Sequence, residues 1–88
     1  MTTVKTTWTR RPGEYAIYDG VVVGTDLTAV LTDITCGDYE LRIRDSSGEK
    51  LFHDYASGFS TVSLAQAWAE REIDKVLHPQ NYATPTYQ

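Results

Sequence analysis

Eighty-eight residues, 41% of them apolar and 11% aromatic, carry more hydrophobic matter than disordered chains do and suffice for one domain with a single core of at most two layers. Twelve acidic against eight basic residues give a net charge of −4, which argues against a nucleic-acid backbone as a direct partner. One cysteine, Cys36, excludes an internal disulfide, and no stretch of these residues has the length of an apolar membrane span or the pattern of a signal peptide. The expectation is a soluble, cytoplasmic protein without membrane contact.

In chain order, Thr2 to Arg11 reads as a strand, because Val4, Thr6 and Trp8 alternate with Lys5, Thr7 and Thr9. Arg10 to Glu14 contains Pro12 and Gly13 and predicts a turn, with the Arg10–Arg11 pair solvated. Tyr15 to Gly24 then predicts a β-hairpin closed by a type I′ turn at Asp19-Gly20. Counting outward from that turn, one face holds Tyr15, Ile17 and Val22, and the other Ala16, Tyr18, Val21 and Val23. Both faces are apolar, so a second layer is expected over the hairpin: either residues 25–35 folding back or another protein chain.

Asp26 to Thr35 is read as a strand from its Thr, Val and Ile content, although Leu27, Val30, Leu31 and Ile34 also match a helical spacing. Cys36-Gly37-Asp38 turns the chain, with Cys36 as a small, partly buried residue. A second hairpin joins Tyr39–Asp45 to Glu49–Tyr55 around Ser46-Ser47-Gly48. A three-residue loop ending in Gly sets Ile43 against Leu51, Leu41 against His53 and Tyr39 against Tyr55, all on one face; Glu40, Arg42, Arg44, Lys50, Phe52 and Asp54 occupy the other. A four-residue loop would oppose Leu41 to Asp54, so the apolar pattern favours the shorter one.

Ser57 to His78 is the one long segment with helical periodicity. Phe59 is placed to plug the open end of the core. Ser63 with Gln66 fits a capping box, while Ser60 or Thr61 offers a cap one turn earlier. Val62, Ala65, Ala69, Ile73, Val76 and Leu77 form one apolar stripe, and Leu64 with Trp68 makes a smaller ridge from which Trp68 wraps onto the sheet edge. Pro79 ends the helix near Leu77. The tail, Pro79 to Gln88, has no charged residue and is expected to be extended.

The fold class is therefore α+β: an antiparallel sheet of four to five strands with one C-terminal helix, Ser63 to Leu77, packed on one face. Residues 1–78 form the domain and 79–88 the tail. The expected core is Trp8, Ile17, Val22, Leu41, Ile43, Leu51, Tyr55, Phe59, Ala65, Ala69, Ile73 and Val76.

Catalytic chemistry finds no constellation. His53 and Asp54 alternate to opposite faces of a strand and cannot serve one site with Cys36. Two histidines and one cysteine, without paired ligand motifs, predict no metal site, and no glycine-rich phosphate loop or other cofactor site is present. The F-S-T entry and A-x-A-W-A-E-R-E helix, Phe59 to Glu72, after a short β-rich body resemble the small accessory proteins encoded by bacteriophages of actinobacteria. The resemblance covers the second hairpin and the helix. It implies a cytoplasmic protein made in an infected bacterium, without enzymatic residues, acting by binding a host or phage protein.

The function expected is a non-enzymatic protein-interaction module that associates with itself as a homodimer, a host or phage protein, or both. Its interaction candidates are Ala16, Tyr18, Val21, Val23 and Trp68, with Tyr82 and Tyr87 of the tail strapped across. The alternative is an inhibitor of a host nucleic-acid-binding defence system, a restriction or CRISPR nuclease, in which Asp19, Asp26, Asp33, Asp38, Glu40, Glu49 and Asp54 imitate phosphates.

Overall fold

The structure of the chain, a computed structural model, describes residues 5–81. Strands β1 (Thr6–Arg10), β2 (Ile17–Val22), β3 (Thr28–Thr35), β4 (Asp38–Arg44) and β5 (Lys50–Ala56) form one antiparallel sheet in sequence order. Helix α1 (Val62–Leu77) packs on one face, and a short 3-10 turn, Pro79–Asn81, follows it. The α+β architecture with five strands and one helix is the expected one. The sheet is a meander because every connection is short, and short connections between antiparallel neighbours need no crossover.

The core lies between the helix and β2–β4. Ala65, Ala69 and Ile73 of α1 meet Val22, Leu27, Ala29, Leu31, Tyr39, Leu41 and Ile43, all buried. Their spacing of four residues along the helix brings one narrow stripe onto the sheet. Trp8, Tyr18, Phe52, Phe59 and Trp68 close the sides of this core. The helix is capped by Thr61, whose Oγ1 accepts from the Leu64 amide at 3.3 Å; the earlier of the two cap positions is thus the one used, and Ser63 lies inside the first turn. At the other end the His78 amide donates to the Asp74 carbonyl at 2.8 Å before Pro79 stops the ladder.

Two expectations of the sequence are corrected. Asp19-Gly20 is not a turn: it lies inside β2, with Asp19 opposite Thr9 and Val30 and Gly20 opposite Trp8 and Ala29. Gly20 is required there by contact, since a Cβ on it would stand 2.8 Å from Thr6 Cγ2 and 2.8 Å from Trp8 Cζ3. The tight turn with positive φ at both central residues occurs instead at Cys36 (φ 40) and Gly37 (φ 89), between paired Thr35 and Asp38. Cys36 is accordingly exposed, not partly buried.

The second correction is one residue of register in β4–β5. Arg44 pairs with Lys50, as a three-residue 46–48 loop demands, but the next pair is Ile43 with Phe52. Leu51 is an extra residue, a β-bulge, and beyond it the side chains of β5 exchange faces. Phe52 thereby joins the core, and Leu51 (39% exposed) and Tyr55 (57% exposed), both expected inside, lie outside it. Leu41 now faces Asp54, an arrangement the apolar pattern disfavours. Ile17 also leaves the expected core, since it points away from the helix; Leu27, Ala29, Leu31 and Tyr39 take the space.

A candidate interaction surface on the open sheet face

Because α1 covers one face only, the alternate residues of every strand look the other way. On β2 and β3 these are Ile17, Asp19 and Val21, then Thr28, Val30 and Thr32; on β4 and β5 they are Glu40, Arg42 and Arg44, then Lys50, His53 and Tyr55. Val30, opposite Asp19, stands diagonally between Ile17 and Val21, a spacing at which branched side chains touch. Val21 is 57% exposed. The face is thus divided into an aliphatic and threonine half and a charged half.

The charged half is an organised cluster. Glu40 Oε2 lies 2.8 Å from His53 Nε2 and 3.1 Å from Arg42 Nη2, and the Glu40 side chain is only 14% exposed. The hydrogen bond from His53, with smaller help from Tyr55 and Arg42 and against the cost of burial, holds the Glu40 carboxyl below its ordinary value. The same carboxylate raises the Tyr55 phenol above its ordinary value. His53 stacks obliquely on Tyr55, with ring centroids 5.3 Å apart, and its Nδ1 lies 3.5 Å from Lys50 Nζ. Farther along, Arg11 Nε and Nη2 grip Asp19 at 2.7 and 2.8 Å, so this arginine of the turn is paired rather than merely solvated.

The interaction candidates read from the sequence are not brought together. Tyr18 and Val21 belong to one straight strand and face opposite ways: Tyr18 packs half-buried beside the core, Val21 stands on the open face. Ala16 precedes β2, and its carbonyl accepts from the Asp33 amide at 2.9 Å; Val23 follows β2, 56% exposed, donating to the Lys5 carbonyl at 2.9 Å. Trp68 is half-buried and stacks on Phe59 at 5.6 Å, which in turn meets Tyr39 edge-on at 5.9 Å. Tyr82 and Tyr87 lie outside the described residues. The Glu40–His53 contact was missed because the expected register put His53 on the helix side; a bulge at Leu51 is the one feature that would have revealed it.

Among the described residues no three His, Cys, Asp or Glu side chains converge as metal ligands, and no helix is long and apolar enough to cross a membrane. His53 looks out of the open face, Asp54 belongs to the helix side and Cys36 sits in a distant turn. Compared with known protein families, with curated proteins and with solved structures, the chain matches none.

Proposed function

We propose that the chain is a non-enzymatic, cytoplasmic accessory protein of the bacteriophage type that works as a protein-interaction module and associates with itself. The observation that carries this reading is the sheet face that no other described element covers. A solvated antiparallel face reads as threonines and charges, whereas this one sets Ile17, Val21 and Val30 side by side at its centre and fringes them with Tyr55 and the Glu40–Arg42–His53 cluster. An apolar centre with a polar, partly paired rim is the anatomy of a docking surface.

The phosphate-imitating alternative has less in its favour. Such a mimic needs free carboxylates in a row, but among its candidates Asp19 is held by Arg11, Asp26 by Ser46, Glu40 by His53 and Asp54 by the Tyr55 amide. These groups stand on different loops and strands, and each already serves the fold. The test is sedimentation of the protein and of Val21→Asp over a range of concentrations, with tagged forms of both used to retain partners from bacterial lysate. Concentration-dependent association, and a partner held by the parent but not by Val21→Asp, support the reading; a strict monomer at tens of micromolar that retains nothing in a Val21-dependent way sinks it.

A further inference from the structure

The sheet has two edges, and they are not treated alike. On β5 the bulge at Leu51 breaks the regular spacing, and the Tyr55 amide, which looks away from β4, is already bonded by the Asp54 carboxylate at 2.8 Å. Bulges and inturned charges are the devices by which edges are blunted. On β1 neither device is present. The Val23 amide donates to the Lys5 carbonyl and the Arg11 amide to the Ile17 carbonyl, so residues 5, 7, 9 and 11 turn their backbone groups toward β2. The alternation then directs the amides and carbonyls of Thr6, Trp8 and Arg10 outward, where no described residue bonds them.

We infer that β1 is the self-association edge: a second copy adds antiparallel to it, about a two-fold axis at Trp8, and the sheet runs on through both subunits. This rests on the self-associating half of the proposed function and gives it a site. The axis at Trp8 pairs Trp8 with its own copy and Thr6 with Arg10, and each such pair exchanges two backbone bonds. The side chains agree with that register. On the open face Thr7 comes to lie opposite Thr9, a favourable cross-strand pair, and Lys5 comes opposite an Arg11 whose charge is already answered by Asp19. On the helix side the two half-buried indoles become neighbours, each anchored by its Nε1–H to Glu70 Oε2 at 3.0 Å. Arg10, exposed and among the described residues engaged only with the Arg11 carbonyl at 3.4 Å, is brought diagonally toward the partner's Trp8 and the carboxylate beside it. The blunted β5 edge rejects the head-to-tail alternative of β1 on β5, which would grow an open filament, so the assembly closes as a dimer.

Proline at position 10 separates this edge from the fold. The Arg10 amide faces outward, so Arg10→Pro removes a donor from the dimer contact and leaves the Arg11–Ile17 and Val23–Lys5 bonds of the chain untouched. Sedimentation velocity of the parent, Arg10→Pro and Val21→Asp is the experiment, with circular dichroism as the check on folding. The expected result is a concentration-dependent dimer in the parent, weakened at least tenfold by Arg10→Pro and far less by Val21→Asp. A dimer that persists in Arg10→Pro overturns the edge; if it is lost in Val21→Asp, self-association stands but runs through the open face. A parent that stays monomeric overturns both. Should Arg10→Pro fail to fold, amide exchange of the parent decides: the amides of Thr6, Trp8 and Arg10 slow as concentration rises if the edge pairs, and concentration-independent exchange at these three overturns it.

Discussion

Gly20→Ala is the sharpest probe of how the first three strands fit together. The added methyl would stand 2.8 Å from Thr6 Cγ2, 2.8 Å from Trp8 Cζ3 and 2.9 Å from Trp8 Cε3, where carbon atoms rest about 3.5–4.0 Å apart. Two neighbours must therefore retreat by about 0.7 Å, and overpacking of that order costs about 1–3 kcal/mol. The indole cannot retreat without straining its bond to Glu70, worth about 1 kcal/mol at a half-exposed site. Against this, alanine recovers roughly 0.5–1 kcal/mol of the chain entropy that glycine loses in a strand. Backbone strain adds nothing, because Gly20 is absent from the residues with positive φ. The balance is a loss of about 2 kcal/mol, or roughly 10 °C in melting temperature for a domain of this size. Urea denaturation followed by far-ultraviolet circular dichroism measures it. The decisive comparison repeats the substitution in a Thr6→Ser, Trp8→Leu background, where both obstructing groups are smaller and the cost should shrink below about 1 kcal/mol. An equal cost in the two backgrounds, or none in the parent, would refute the reason given for glycine at this position.

Other substitutions test separate parts of the fold. Thr61→Ala removes the side chain that caps α1 and should cost about 1 kcal/mol, whereas Ser63→Ala should change the unfolding midpoint hardly at all; the reverse order would mean that Ser63 is the cap and the helix begins after it. Ile73 is fully buried, so Ile73→Ala should destabilise by about 2–5 kcal/mol, and an unaltered melting temperature would mean that the helix presents another face. The buried Thr6 hydroxyl has no hydrogen-bond partner among the described residues, so the isosteric Thr6→Val should raise stability by about 1 kcal/mol; a loss in thermal melting would show that the hydroxyl is bonded after all. Glu40 has its carboxyl depressed by His53, so its ionised form stabilises the fold above its unfolded-state pKa, and that contribution is lost as pH falls through the lower folded-state value. Glu40→Gln should consequently melt below the parent at neutral pH and converge with it in acid, and a gap that widens in acid would contradict the assigned contact.

The helix and the general plan of the sheet were legible because they depend on periodicities that span many residues. Ala65, Ala69 and Ile73 repeat at helical spacing, and Leu41 and Ile43 at strand spacing, and no single contact can undo a pattern of that length. The candidate surface was not legible, because it depends on two decisions made by single residues. Gly20 beside Asp19 carries the chemistry of a tight hairpin, but the same absence of a Cβ that would relieve a turn also admits the ring of Trp8, a residue twelve positions earlier in the chain. Local turn preference is worth little beside the burial of an indole, and the strand runs straight through. The true tight turn falls at Cys36-Gly37, where the Gly37 carbonyl accepts from the Phe59 amide at 3.2 Å and a Cβ on Gly37 would stand 2.6 Å from the Phe59 carbonyl oxygen; no short-range rule contains that contact.

The second decision is the bulge at Leu51. The loop that leads into β5 follows its sequence, with Asp45 gathering the amides of Ser47 and Glu49 at 2.9 and 3.1 Å and Gly48 in the left-handed region. One residue later the register slips, and a side-chain period of two turns that slip into a complete exchange of faces. In the regular register Leu51, His53 and Tyr55 would crowd under the helix, leaving Phe52 in water. In the bulged one Phe52 and Ala56 face the core, His53 reaches Glu40, and Asp54 stays at the rim of the helix side, where it bonds the Tyr55 amide. A histidine exchanged for a phenylalanine in the core, and the largely covered Glu40 carboxylate given its donor, outweigh the disruption of one ladder step. The same slip brings His53 and Tyr55 onto the open face beside Arg42, Arg44 and Lys50. The chemistry that makes this face a candidate surface is therefore a by-product of packing the other one.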